Sequence, residues 1–213
     1  MIILGSSSPR RIQLLSLLGL PFEIVKPDIA EDVPDGKIYN PDVVVTELAR
    51  QKCEAVFYKL TSGKDGYHFK LNEVDAIITA DTIVWLDGEI FGKPSNESEA
   101  EKMLRRLSGN WHKVFTGVCV KISGEEITFF EETEVKFRQL SNWEISYYIS
   151  TGEPLDKAGA YGIQGLGSVF VERIIGDYTN VVGLPVPKLW QVLLDRGVIQ
   201  KYATRKWSQG KIT

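Results

Sequence analysis

The sequence predicts an α/β protein built on a mixed sheet with helices between its strands. Three observations predict the α/β class. Short apolar runs alternate with stretches of helical period; the first thirty residues read as strand, loop, helix and strand; and two later pairs of strands meet at turn signals, Asp87-Gly88 and the surroundings of Gly124. The sheet is expected to be parallel near the N-terminus and antiparallel through those hairpins. Met1–Leu4 opens as a buried strand. Ser8 then reads as a helix cap with Pro9 at the first helical position, where a missing N–H costs nothing. Leu14, Leu15, Leu17 and Leu18 follow, and Gly19 marks the stop. Phe22–Val25 is the next strand.

An acidic loop leads from Lys26 to a second helix opening at Asn40-Pro41, with Val44, Val45, Leu48, Cys53 and Val56 on its buried side. Residues 61–73 are polar and read as a surface connection. Asp75–Ala80 is a strand that runs through Asp81-Thr82 into Ile83–Leu86. Ser95–Leu107 is a charged amphipathic helix, and Val114–Ile122 with Ile127–Phe137 are two long strands. Ser141 and Glu144 have capping-box spacing for a helix that stops near Gly152. Four glycines occupy 159–167, Ser168–Ile175 is a strand, and Leu184–Leu194 is the last helix. We expect one folding unit over 1–199 and a frayed basic tail over 200–213.

Composition narrows the chemistry. A chain of 213 residues with 43% hydrophobic side chains can bury a full core. With 25 Lys+Arg against 28 Asp+Glu, it lacks the basic surface that a nucleic acid polymer or an anionic membrane requires. Two cysteines in no CxxC pair and two histidines leave little for a thiolate zinc site or a Ser-His-Asp triad. No secretory signal or membrane-length apolar run is legible, so a cytoplasmic protein is expected. Chemistry must rest on carboxylates, lysines, arginines and hydroxyls.

Five segments could carry it. Gly5-Ser-Ser-Ser-Pro-Arg-Arg11 follows a strand and opens a helix, which suits an anion; a plain capped helix with solvated arginines is the alternative. Asp81, at the end of an apolar run, could orient water or hold a cation against phosphate, or only turn the chain. Lys93, between Gly92 and Pro94, is a phosphate ligand or a turn lysine. The acids around Glu31 form a metal site or a solvated loop. In the glycine-rich 152–167 segment, Tyr161 and Gln164 could meet a base, or the segment is only a crossover.

Read together and in order, SSSPRR, ITADTIV, GKP, LSGNWHKVFTGV, EPLDKAGAYGIQGLG and VVGLP resemble the Maf family of nucleoside triphosphate pyrophosphatases over about residues 2–195. The resemblance implies an α/β fold related to the inosine triphosphate pyrophosphatases: a twisted mixed sheet with flanking helices and two lobes around a cleft. It also implies hydrolysis of a nucleoside triphosphate to monophosphate and pyrophosphate with a divalent metal cation, Mg²⁺ or Mn²⁺, and a homodimer. Position by position it implies Asp81 as catalytic base, Ser6, Arg11, Lys52 and Lys93 on phosphate, and Glu31 with Asp81 on the metal. Arg10, Thr82 and Gln164 are similar to the branch acting on dTTP and UTP, and a glutamine amide can pair with the imide edge of thymine or uracil. Two rival readings stand beside this one: nucleotidyl transfer to a sugar phosphate, and a non-catalytic nucleotide-binding regulator of cell division.

Overall fold

The computed structural model describes residues 1–29, 40–62 and 73–208. Its seven strands form one mixed sheet: β1 (Ile2–Leu4), β2 (Phe22–Ile24), β3 (Ala76–Leu86), β4 (Glu89–Phe91), β5 (Trp111–Ile122), β6 (Glu125–Phe137) and β7 (Val171–Ile175). The order is β2-β1-β3-β5-β6-β7, with β4 pairing β3 off that path. β1 runs parallel to both β2 and β3; the remaining pairs are antiparallel. The expected switch from parallel to antiparallel is therefore present. Both hairpins turn on two residues with positive φ, Asp87-Gly88 and Ser123-Gly124, the geometry whose twist matches the flanking strands.

Period-two alternation divides the core. Ile77, Thr79, Asp81 and Ile83 of β3 face the long helix α2 (Pro41–Ser62), and Cys53, Val56 and Ala49 pack there with Ile3 and Cys119. Ala76, Ile78, Ala80 and Val84 face the larger core on the other side. That core is covered by α1 (Pro9–Ser16), α3 (Glu97–Leu107), α4 (Asn142–Ser150), α6 (Val186–Asp195) and α7 (Val198–Ser208), with the short α5 (Tyr178–Val182) beside α1. α3 packs on α4 and on the 3₁₀ turns of the glycine-rich segment, while α6 packs on α7 and α1 on α5. These are the two lobes, and a cleft lies between them.

β3 runs unbroken through Asp81-Thr82, as expected, and both polar side chains find partners inside the fold. The element boundaries differ from expectation after the glycine-rich segment and at the C-terminus. Residues 166–170 form a 3₁₀ turn, and the last sheet strand begins at Val171. The tail does not fray at 200. α7 continues to Ser208, burying Val198, Ile199 and Tyr202, and Lys201 and Tyr202 both bond Asp75 at the head of β3. Desolvation would raise the Asp75 pKa, but bonds from Lys201, the Met1 amino group and Tyr202 outweigh it and hold the carboxyl down at about 2. Cys53 and Cys119 are free and buried. No helix among the described residues is long and apolar enough to cross a membrane.

Candidate active site

The cleft exists because β3 has a gap along one edge. β5 lines the other edge from Ile77 to Trp85, so β1 and β4 must share the remaining one. β1 pairs residues 76–78 and β4 pairs residues 84–86, which leaves 79–83 with no strand beside them among the described residues. The chain leaves β1 at Gly5, whose N–H still donates to the Ile78 carbonyl at 2.8 Å, and turns into α1. A Cβ on Gly5 would stand 2.4 Å from Thr79 Cγ2, so only glycine permits this close exit. The site thus lies outside the carboxyl end of a parallel strand, at the point where the sheet changes direction.

The cleft holds about 980 Å³ and draws its walls from both lobes. Among its described lining residues six basic side chains outnumber four acidic ones, although the whole chain carries −3. Three of those acids are engaged at the walls: Glu89 with Arg106, Glu99 with Ser95, and Asp156 with Lys157 and, at 3.6 Å, with Arg10. The fourth is Asp81.

Asp81 projects from β3 toward α2, where Lys52 Nζ donates to its Oδ1. The pair is nearly dry, with Lys52 3% and Asp81 7% exposed. Asp81 Oδ2 accepts no hydrogen bond among the described residues. Lys52 reaches this position because Gly117, opposite Asp81 on β5, has no side chain; a Cβ there would lie 2.2 Å from the Val45 carbonyl of α2. The sequence alone gave no local reason to single out Lys52, since the decisive residue is 65 positions away on another strand.

On the opposite face, Arg11 of α1 meets two neutral oxygens among the described residues. Its Nε donates to the Gly183 carbonyl at 2.8 Å and its Nη2 to Thr82 Oγ1 at 3.1 Å. Thr82 in turn lies 2.9 Å from Thr116 Oγ1, its cross-strand partner on β5. Thr116 carries no signal beyond lying within the LSGNWHKVFTGV stretch, and Asn180, whose carbonyl it meets at 3.0 Å, directly precedes VVGLP. Ser6 is buried and accepts from the Ser8 N–H at 3.2 Å, while Ser8 caps α1 by position with no side-chain cap bond.

Arg10, Arg11, Ser6, Lys52, Lys93, Asp81 and Thr82 all line the cleft. Gln164 does not. It is exposed at the apex of a turn closed by Gly165 N–H on the Gly162 carbonyl, and the Glu153 carboxylate anchors the following Leu166 and Gly167 N–H groups. Tyr161 lines the cleft but is 6% exposed, with its hydroxyl 2.9 Å from His112 Nε2, so it is wall more than stacking platform. Glu31 lies outside the described residues. No group of three or more His, Cys, Asp or Glu able to hold a metal occurs among the described residues.

Relatives carry the same stretch of chain. A protein named dTTP/UTP pyrophosphatase from Thermosipho africanus (strain TCF52B) is 48% identical over 93% of this chain and 94% of its own. One of that name from Bacillus cereus (strain ATCC 10987 / NRS 248) is 48% identical over 88% and 86%, and one from Thermotoga maritima is 45% identical over 92% and 89%. Among solved structures, the Staphylococcus aureus Ham1 protein aligns over 80% of this chain and 79% of its own with TM-score 0.42 and 17% identity. The Maf-like protein profile matches residues 1–196, spanning every strand and all the cleft residues described above; the chain belongs to the Maf-like family.

Proposed function

We propose that the protein hydrolyses dTTP and UTP to the nucleoside monophosphate and pyrophosphate, as the names of its relatives state for them. The observation that carries the reading is Asp81: a carboxylate on the floor of a cleft rich in basic residues, one oxygen held by Lys52 and the other without a hydrogen bond among the described residues. In the reaction a water oxygen bonds to the α-phosphorus and the bond from that phosphorus to the α,β-bridging oxygen breaks. Asp81 accepts the water proton, and the electron pair leaves with pyrophosphate. Ser6, Arg11 and Lys93 hold phosphate oxygens, and Lys52 both fixes Asp81 and balances its charge. Thr82 and Arg10, on the cleft wall, favour the pyrimidine base. Gln164 stands outside the cleft, so it meets the base only if the 162–165 turn reorients.

The donor chemistry fits a divalent cation. Asp81 offers a hard carboxylate oxygen of the kind that Mg²⁺ takes beside nucleotide phosphates. Asp81, with Glu31, would hold Mg²⁺ or Mn²⁺; when bound, the ion neutralises charge on the phosphates.

The test is purified protein with a panel of nucleoside triphosphates and Mg²⁺, reading pyrophosphate and monophosphate. We expect both from dTTP and UTP, and Asp81→Asn to lose about 10²–10⁴ in kcat. Retention within about tenfold would remove Asp81 from its role. Turnover only with a sugar phosphate would establish the transferase, and binding without turnover the regulator.

A further inference from the structure

Three oxygens behind the cleft wall fix the direction of a hydrogen bond inside it. Thr116 Oγ1 is fully buried and has two partners, the Asn180 carbonyl at 3.0 Å and Thr82 Oγ1 at 2.9 Å. The carbonyl has no proton to give, and two oxygens at that distance with no hydrogen between them repel. The single Thr116 proton therefore lies on the bond to Asn180. Thr116 must then accept from Thr82, and the single Thr82 proton is committed inward. This agrees with the remaining contact: Thr82 accepts from Arg11 Nη2.

The Asn180 carbonyl is itself held in place. Its side-chain amide donates to the Val114 carbonyl at 3.0 Å and to Thr133 Oγ1 at 2.9 Å, and its residue is 0% exposed. Thr133 in turn donates to the Asp177 carbonyl, next to the α5 cap. The acceptor that decides the direction belongs to α5, which these bonds tie to β5 and β6, and not to a loop.

We infer that Thr116 is a positioning residue that makes Thr82 an acceptor toward the bound nucleotide, and that the cleft thereby selects a base carrying an N–H donor at ring position 3. Uracil and thymine carry that N–H. Cytosine presents a bare ring nitrogen, which faces a lone pair of Thr82 with no proton between them. Selection between these bases is thus set by a hydroxyl that never touches the substrate. The inference rests on the proposed pyrophosphatase activity and on the base reaching Thr82.

Thr116→Val is close to isosteric and leaves no orphaned acceptor, because the Asn180 carbonyl also accepts the Gly183 N–H at 3.0 Å. It releases the Thr82 proton, which can then turn toward the cleft. We expect the ratio of kcat/KM for UTP over CTP to fall about tenfold or more. The kcat for UTP should stay within about threefold, and Thr116→Ser, which keeps the hydroxyl, should restore the wild-type ratio. An unchanged ratio in Thr116→Val overturns the inference. If that variant does not fold, wild-type protein decides with N3-methyl-UTP: a loss of about tenfold or more against UTP is expected. Equal turnover of the two overturns it. If the wild type releases no pyrophosphate from UTP, the functional reading fails first and this inference falls with it. Turnover of UTP with either overturning result removes this inference alone.

Discussion

Asp81 and Thr82 are neighbours on β3, yet the pleat sends them to opposite faces, and the two faces solve different problems. On the α2 face a carboxylate meets an ammonium, both almost excluded from water. On the α1 face a guanidinium is steered by a carbonyl and a hydroxyl, which belong to a chain of neutral groups continuing through Thr116 to Asn180. In the proposed reaction the first arrangement supplies the carboxylate that takes the water proton. The second, among the described residues, fixes orientation and hydrogen-bond direction through neutral groups. A gap of a few residues in one sheet edge lets both line the same cleft.

Breaking the charged face should have the larger effect. Lys52→Met leaves Asp81 unpaired in a dry position, and removing a positioned cation beside a reacting phosphate costs about 10²–10³ in kcat; steady-state kinetics with dTTP reads it. Wild-type kcat in that variant would separate Lys52 from the chemistry. Gly117→Ala tests how the face is assembled. Its Cβ presses on the α2 backbone at Val45, so we expect about 1–3 kcal/mol less stability in urea denaturation, with kcat reduced as Lys52 is displaced from Asp81. Full stability would mean that α2 moves freely there.

The neutral face has a pH signature. His112, on the same face of β5 as Thr116, is 2% exposed, and desolvation lowers its pKa from 6.5 to about 3, with the Asn110 backbone offsetting only part. The unfolded chain therefore binds a proton that the fold refuses between about pH 6.5 and pH 3. Stability should rise with pH across that window, by up to about 1.4 kcal/mol per unit. Over pH 5–6 the imidazole is read as the difference between wild type and a His112 variant. Asp75, held at about 2, titrates below that interval, while Glu47 and Glu144, also lowered to about 2, add a smaller slope of the same sign near pH 5. Urea midpoints across that interval should flatten in His112→Gln; an equal slope in both proteins contradicts a neutral buried His112.

Much of this was legible in the sequence because its signals are local. The Asp87-Gly88 turn, the Ser141–Glu144 capping box and the strand-to-helix entry at Ser6–Arg11 each announce themselves within a few residues, and all three stand in the structure. The unread parts are relations between distant residues. Lys52 lies among charged neighbours and is buried only because Gly117 admits its helix. Thr116 matters through contacts 34 and 64 positions away. α5 is five residues long and was missed, although Asp177 caps it by accepting from the Thr179 N–H. The basic charges of 200–213 suggest a frayed tail, whereas Val198, Ile199 and Tyr202 recur at helical spacing and dock α7.

The division of labour between the faces is tested most directly by kcat/KM of Asp81→Asn for UTP and for CTP, measured side by side. The account predicts that both fall by about 10²–10⁴ while their ratio stays within about threefold of wild type, since the selecting hydroxyl is untouched. A ratio that collapses with the rate, or activity retained within about tenfold, would contradict it.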